Sequence, residues 1–263
     1  MGHPVARKRF GQHFLHDRTI IAKILDALEP DSNETIVEIG PGRGALTFPL
    51  LERIDTLHVI EIDRDLAALL QEHTQSHAGL HVHCIDVLTL SLDRIISSPV
   101  KVVGNLPYNI STPLLFHLLQ QTCLIRSMTF MLQEEVVDRM VAEPGSKTYG
   151  RLSVMVQSRC SLNKLFRVPP AAFSPPPKVH SAVVQLVPDN QLADKIDNNE
   201  MFEIIVRESF NHRRKTIKNS LKNLFTVEGL EAAGINPEVR PEQLQVNEFI
   251  QLANYHAARK TPD

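Results

Sequence analysis

The sequence has no long apolar run, no pattern of a secretion signal and no regular set of cysteines. Its best apolar runs, such as residues 100–103, are far shorter than the roughly 18 residues that a membrane-spanning helix needs. Its basic start is not followed by an apolar segment, which argues against secretion. Cys84, Cys123 and Cys160 are odd in number and widely spaced, so we expect small core side chains rather than disulfides or metal ligands. We therefore expect a soluble cytoplasmic protein with no membrane span and no metal site.

The chain also has little net charge, although its charges are unevenly distributed. The net charge of −2 argues by itself against a nucleic-acid-binding protein. Scattered solvated charge is the commoner origin of local clusters, but two basic clusters in a near-neutral chain also fit a protein that contacts phosphates with part of its surface. One cluster lies near the N-terminus and the other at residues 207–222, with Glu208 as its single acid. The basic residues are Arg7, Lys8 and Arg9 in the first cluster and Arg207, Arg213, Arg214, Lys215, Lys218 and Lys222 in the second.

The composition is that of an ordinary globular protein of one or two domains. The 263 residues are 43% hydrophobic and 22% charged, which excludes disorder as a description of the whole chain. Short apolar strands at residues 35–39, 57–62, 80–85, 100–103 and 128–132 alternate with helical patterns. Such alternation predicts an α/β fold with a predominantly parallel sheet and ligands at the carboxyl ends of its strands. From residue 201 onward the pattern is helical throughout, which includes a helix at residues 214–225, so we place a domain boundary near residue 190.

A glycine-rich loop follows the first of these strands. Gly40, Gly42 and Gly44 directly precede a helical pattern, where glycine allows the backbone to approach a ligand closely. The loop by itself also fits a dinucleotide site, with Glu61 about 20 residues on at the place of a ribose-binding acid. Asp86, at the end of the third strand, favours S-adenosylmethionine, because an acid there can accept from the adenine amino group while Glu61 binds the ribose hydroxyls. The alternative is that Asp86 only caps the following turn.

The segment Asn105-Leu106-Pro107-Tyr108 follows the fourth strand, next to the predicted cofactor. The exocyclic amine of adenine is a poor nucleophile, because its lone pair is delocalised into the ring. The Asn105 side-chain oxygen and the Leu106 carbonyl would accept its hydrogens and turn the lone pair towards the methyl group. Tyr108 offers a face for a flipped base. The alternative is an ordinary Asn-Pro turn.

Five segments together resemble the ribosomal RNA adenine dimethylases, in particular those of the bacterial small subunit. They are residues 9–15, 37–42, 104–108, 149–152 and 173–179. The resemblance implies a Rossmann-like class I methyltransferase fold in residues 1–190 and a small all-α, rRNA-binding domain in residues 191–263. It also implies a cofactor-binding set of His13, Leu15, Gly40, Gly42, Glu61, Asp86 and Asn105. The target adenine would be held by Asn105, Leu106 and Tyr108, with Phe173 stacked on its opposite face.

The family transfers two methyl groups to N6 of each of two adjacent adenosines near the 3′ end of small-subunit rRNA, within an assembling subunit. The resemblance therefore implies an enzyme that uses S-adenosylmethionine and whose partner is the small ribosomal subunit (16S rRNA). We expect it to act as a monomer. The expected rRNA contacts are Arg7, Lys8, Arg9, Arg213, Arg214, Lys215, Lys218 and Lys222. A dimethylase of large-subunit rRNA and an assembly factor whose main role is binding remain as alternatives.

Overall fold

The computed structural model describes residues 12–212 and 214–258, and a seven-stranded sheet organises most of the first two thirds of the chain. The strand order is β4-β3-β2-β5-β6-β9-β7. The pairs within β4-β3-β2-β5-β6 are parallel and β6 pairs antiparallel with β9, which confirms the predicted mostly parallel α/β fold. The strands are β1 (Phe14–Leu15), β2 (Thr35–Ile39), β3 (Thr56–Ile60), β4 (Leu80–His83), β5 (Val100–Asn105), β6 (Ile125–Gln133), β7 (Cys160–Val168), β8 (Phe173–Ser174) and β9 (Ser181–Pro188).

The central strands form because their apolar side chains are buried on both faces of the sheet. Ile36, Val37 and Ile39 of β2 are at most 2% exposed, and Val102 and Val103 of β5 are equally buried. Near-continuous apolar runs of this kind are typical of parallel strands that are covered by helices on both sides. The order of the strands therefore brings the carboxyl ends of β2, β3 and β5 to the same edge.

Helices connect the strands and make up the C-terminal part of the chain. Asp17 caps α1 by accepting from the amides of Thr19 and Ile20, and Asp63 caps α3 by accepting from that of Asp65. The helices are α1 (Arg18–Leu28), α2 (Thr47–Leu51), α3 (Arg64–Gln71), α4 (Ser111–Leu119), α5 (Glu134–Met140), α6 (Arg151–Gln157), α7 (Asn190–Ala193), α8 (Asn199–Phe210), α9 (Ile217–Ser220), α10 (Val227–Ala232) and α11 (Val246–Ala258).

A second, two-stranded sheet joins β1 to β8. Leu15 pairs with Phe173 and Phe14 with Ser174. The sequence did not predict these strands, because each has only two residues and shows no periodicity. Their pairing fixes the segment around residues 12–15 against the loop that begins at Phe173.

The chain divides into two compact units. The first comprises the residues up to Val137 together with Leu162–Pro188, and the second comprises Asp138–Ser161 together with the residues from Asp189 onward. The change of unit at Pro188 lies close to the predicted boundary, but Asp138–Ser161, which includes α6, groups with the C-terminal helices instead of with the first domain. Within the second unit, α8 packs against α11 and α6.

The predicted basic helix at residues 214–225 is wrong in extent. The structure has only the single turn Ile217–Ser220 there. The amides of Ile217 and Lys218 donate to the carbonyls of Val239 and Pro237, so this turn is tied to a distant loop and does not extend a local helix. Lys215 and Lys222 consequently do not lie on one continuous helix with Lys218.

Two further sequence expectations concern cysteines and membrane spans. Cys160 is buried, whereas Cys84 and Cys123 are exposed, so the expectation of three core cysteines is wrong for two of them. Cys84 directly follows β4 and Cys123 lies in the single turn Thr122–Leu124, and the sequence around them does not reveal their exposure. Among the described residues, no helix is both long and apolar enough to cross a membrane.

Candidate active site

The glycine loop after β2 folds back on the acid that follows β3. Gly40 and Gly42 adopt positive φ angles of 67° and 58°, a region that favours glycine. The Gly42 amide donates to Oε2 of Glu61 at 3.2 Å. A side chain at residue 42 would also press on the Phe14 ring, since a Cβ there would lie 3.1 Å from a ring carbon. The loop therefore needs glycine both for its backbone conformation and for space.

Glu61 is a buried carboxylate in a cage of backbone amides. It is 5% exposed, and its Oε1 accepts from the Asp63 amide at 2.9 Å. Burial raises the pKa of Glu61, while the bonds from Asp63 and Gly42 oppose that rise. Gln12 donates to Oδ2 of Asp63 at 3.2 Å, so the N-terminal segment reaches the same corner of the site.

Glu38, within β2, is a second buried acid and was not among the predicted site residues. It is 2% exposed, and Thr47 donates to its Oε2 at 2.7 Å. Burial raises the pKa of Glu38 to about 8, with the Thr47 hydrogen bond opposing the rise and the charge of Glu61 adding to it. This carboxyl is consequently mostly protonated at neutral pH. The sequence could have indicated Glu38 as a buried acid, because it is the single acid within the otherwise apolar run of residues 36–39.

The turn after β5 presents polar groups beside the glycine loop. Asn105 uses its Nδ2 to donate to the His13 carbonyl at 3.0 Å, and the Leu106 amide donates to the Met131 carbonyl. The Tyr108 hydroxyl lies 2.7 Å from Oγ of Ser181, and burial raises the pKa of Tyr108. The turn can approach the glycine loop because the preceding residue is Gly104, where a Cβ would lie 2.5 Å from the Ile39 carbonyl oxygen.

Two adjoining cavities open at these strand ends, of about 750 Å³ and about 570 Å³. Both volumes include the open space at the cavity mouths. They share Gly40, Glu61, Ile62 and Pro107 as lining residues. The predicted residues His13, Leu15, Gly40, Gly42, Glu61, Asn105, Leu106 and Tyr108 all line the first cavity.

Asp86 lines the second cavity. Its Oδ1 also accepts from the Leu88 amide at 3.0 Å, so Asp86 caps the following turn and lines the cavity at the same time. A carboxylate keeps a second oxygen after such a bond, and that oxygen can accept from a ligand.

Residues 12–15 pass over the first cavity and contact its other side. The Arg43 guanidinium lies 4.3 Å from the centre of the Phe14 ring, a cation–π contact between the glycine loop and β1. Arg43 itself lines the first cavity. Arg43 was not among the predicted site residues, because a single base in a glycine loop is indistinguishable in sequence from a solvated one.

Phe173 and the described residues of the second basic cluster do not line either cavity. Phe173 is 2% exposed and belongs to the hydrophobic core together with Leu15, so its stacking role stays a prediction. Lys218 pairs with Glu238, whereas Arg214, Lys215 and Lys222 are exposed. Arg7, Lys8, Arg9 and Arg213 lie outside the described residues. The rRNA-binding role of this set also stays a prediction.

A parallel sheet that ends in a glycine loop, with acids after neighbouring strands and an Asn-Leu-Pro-Tyr turn beside them, is typical of Rossmann-like methyltransferases. The chain is such an enzyme, with S-adenosylmethionine as its cofactor, as its sequence predicted. More narrowly, residues 4–258 match the family model of the ribosomal RNA adenine dimethylases. The chain belongs to this family.

Individual relatives agree with this assignment. The chain is 51% identical over 257 residues to "Ribosomal RNA small subunit methyltransferase A" of Salmonella choleraesuis, which covers 97% of this chain and 94% of that protein. The protein of the same name from Alcanivorax borkumensis is 51% identical over 251 residues, or 94% of this chain and 89% of that protein.

Solved structures show the same fold. A dimethyladenosine transferase from Plasmodium falciparum aligns with a TM-score of 0.82 at 26% identity, covering 94% of this chain and 98% of that one. The 23S rRNA methyltransferase ErmE aligns with a TM-score of 0.71 at 27% identity, covering 93% of this chain and 99% of that one. The resemblance inferred from the five sequence segments is therefore confirmed.

Proposed function

We propose that this enzyme transfers methyl groups from S-adenosylmethionine to N6 of two adjacent adenosines near the 3′ end of 16S rRNA, within the small ribosomal subunit. The product is N6,N6-dimethyladenosine, and the reaction belongs to small-subunit biogenesis. The observation that carries the proposal is the placement of Asn105, Leu106 and Tyr108 at the wall of a cavity that can hold the cofactor. The names of the relatives that share half of its residues support the choice of subunit.

The polar side chains that line the two cavities fit the groups of the cofactor. The second cavity has Asp86, whose carboxylate can accept from an adenine amino group, and apolar walls formed by Ile62, Val87 and Leu88. The shared wall has Glu61, which can accept from ribose hydroxyls. The remaining amino-acid portion would then occupy the first cavity, where Arg43 can meet its carboxylate.

The target amine would be held by two acceptors. Because Nδ2 of Asn105 donates to the His13 carbonyl, Oδ1 is the atom that can accept from the target amine. The Leu106 carbonyl would accept the second hydrogen. S-adenosylmethionine supplies an electrophilic methyl group on its sulfonium. The two acceptors localise the lone pair of the amine and stabilise the positive charge that develops on its nitrogen. The N6–methyl bond would form as the sulfonium–methyl bond breaks, and the methylated amine would then lose one proton to water, so no general base is required.

The second methylation uses the same site with one hydrogen fewer. An amine that already bears one methyl has a single N–H, which either Asn105 or Leu106 can accept. Tyr108 would stack on the base during both steps, with its hydroxyl fixed by Ser181.

The rRNA would be positioned mainly through its phosphates. Exposed Arg214, Lys215 and Lys222, with the basic N-terminal cluster, supply cations that bind phosphates without reading sequence. We place the enzyme in the cytoplasm, where bacterial subunits assemble, and expect it to act as a monomer without a metal.

The test is the incorporation of labelled methyl from S-adenosylmethionine into unmethylated small subunits, large subunits and naked rRNA, side by side. We expect label in small subunits only, as N6,N6-dimethyladenosine. Label in large subunits would show that the proposed substrate is wrong, although methyl transfer from S-adenosylmethionine would still be the reaction. Tight subunit binding without label would instead identify an assembly factor. Asn105→Ala is the matched control for activity that depends on this site.

A further inference from the structure

His13 lies where three segments of the first unit meet. Its ring nitrogen Nδ1 is 2.7 Å from the Pro175 carbonyl oxygen, in the loop that begins at Phe173. Its ring centre lies 5.6 Å from that of Tyr108, with 30° between the two planes. Its backbone carbonyl accepts from Nδ2 of Asn105 at 3.0 Å. His13, in the N-terminal segment, therefore contacts both other segments that surround the proposed position of the target base, the Pro175 loop and the turn at residues 105–108.

The chemistry of these bonds determines where the hydrogens are. A carbonyl oxygen can only accept, so the bond to Pro175 requires the hydrogen of the His13 ring to be on Nδ1. The bond from Asn105 likewise selects one orientation of its amide. The opposite orientation would set Oδ1 of Asn105 against the His13 carbonyl oxygen, with two acceptors facing each other.

These contacts form a continuous connection from the Pro175 loop to the amide of Asn105. The side chain of His13 is held at Pro175, and the backbone of the same residue holds the amide of Asn105. Asn105 can present Oδ1 to a target amine only while the His13 carbonyl stays in this position. The distance in sequence between His13 and Pro175 is 162 residues, so no local element could hold this position.

We propose that His13 is a positioning residue for methyl transfer, which acts through Asn105 and Tyr108 and does not bind the cofactor with its side chain. The inference rests on the proposed function of the site. It differs from the role that the family resemblance implies for this position, which is a contact with the cofactor. The imidazole lies beside the Tyr108 ring, with 5.6 Å between the two ring centres, and would restrict where that ring can lie when the base binds.

Three substitutions separate the two contacts of the side chain. His13→Asn places an amide nitrogen close to the position of Nδ1, so it keeps the donor to Pro175 and loses the ring. His13→Phe keeps a ring beside Tyr108 and loses the donor. His13→Ala loses both. The matched control is His16→Ala, because the His16 side chain is exposed on the same segment.

The variants are compared in two assays. Calorimetry gives the Kd of S-adenosylmethionine, and single-turnover methylation of small subunits at saturating cofactor gives the rate of transfer. We expect every Kd to stay within about threefold. The rate of His13→Ala and His13→Phe should fall about tenfold, the effect of losing a net hydrogen bond, and His13→Asn should recover most of it. His16→Ala should match the wild type in both assays.

Two results would overturn the proposal. A Kd raised tenfold or more in His13→Ala, with an unchanged rate at saturating cofactor, would make the side chain a cofactor contact. If His13→Asn folds normally and keeps the wild-type Kd but its transfer rate does not recover, the bond to Pro175 has no role in the mechanism.

A third readout does not depend on the proposed function. The side-chain amide signal of Asn105 in the NMR spectrum of the cofactor-free protein, assigned with Asn105→Asp, should move in His13→Ala and His13→Phe but not in His13→Asn. If wild-type protein methylates no RNA, the proposed function fails. The amide signal then decides separately whether His13 orients Asn105, and an unmoved signal in His13→Ala would refute that.

Discussion

Glu38 should make the free energy of unfolding fall as the pH rises, and the substitution Glu38→Gln should remove this dependence. The carboxyl is buried in β2, where Thr47 donates a hydrogen bond to it at 2.7 Å. Burial raises the pKa of Glu38 in the folded protein to about 8, from 4.5. A group whose pKa is raised by folding stabilises the folded state fully below its unfolded pKa, and this contribution is lost as the pH rises.

The size of the effect follows from the two pKa values. Each unit of difference corresponds to about 1.4 kcal/mol, so a rise from 4.5 to about 8 corresponds to ~5 kcal/mol over the whole titration. Between about pH 5 and about pH 9 the contribution of Glu38 to the free energy of unfolding falls by ~4 kcal/mol, and most of this fall has occurred by neutral pH. In Glu38→Gln the new amide would not titrate and could still accept from Thr47.

The assay is urea unfolding of both proteins across this pH range, followed by far-UV circular dichroism in the absence of cofactor. All other titrating groups are common to the two proteins, so the difference between their free energies of unfolding isolates Glu38. We expect this difference to move by ~4 kcal/mol in favour of Glu38→Gln as the pH rises. Thr47→Val should extend the dependence to higher pH, because the Thr47 bond lowers the pKa of Glu38.

The reasoning would be refuted if the difference between the free energies of unfolding of the wild type and Glu38→Gln changed by less than ~1 kcal/mol across this pH range. It would mean that Glu38 is ionised in the folded protein much as in the unfolded chain. A change of the opposite sign would mean that an unrecognised cation stabilises the carboxylate.

The other predictions concern the cofactor, the target amine, the phosphate contacts and acid sensitivity. Glu61→Ala should weaken S-adenosylmethionine binding about 10-fold or more in calorimetry and abolish transfer while subunit binding persists; retained transfer would remove Glu61 from the site. Asn105→Ala should lower the single-turnover rate about 10²–10³-fold, and a loss below tenfold would contradict its role at the amine. Lys215→Glu with Lys222→Glu should weaken small-subunit binding at ~100 mM salt without changing cofactor affinity; unchanged binding would refute the phosphate contacts. Burial lowers the pKa of His58 to about 4, so the folded state loses ~1–2 kcal/mol as the pH falls from about 6.5 towards 4. His58→Gln should reduce this loss, and equal acid sensitivity of Tm in both proteins would contradict it.

The sequence by itself determined the parallel part of the large sheet and several of the residues at its carboxyl edge. Alternation of apolar strands and helical patterns predicts a parallel sheet, and a parallel sheet brings the carboxyl ends of its strands together. Glu61 lies at the end of a predicted strand, and Asp86 and Asn105 follow predicted strands, so their gathering at one edge needed no knowledge of side-chain packing. The glycine loop was likewise recognisable from local pattern alone.

Only the tertiary structure decided how these groups act. The protonation of Glu38 depends on burial by residues distant in sequence, and the contact of Arg43 with Phe14 joins a loop to a two-residue strand. His13 meets the Pro175 loop across 162 residues, and Phe173 lies in the hydrophobic core. The physical reason is that periodicity reports which residues face the inside of an element, whereas desolvation, ring contacts and amide orientation arise between elements that no local pattern connects.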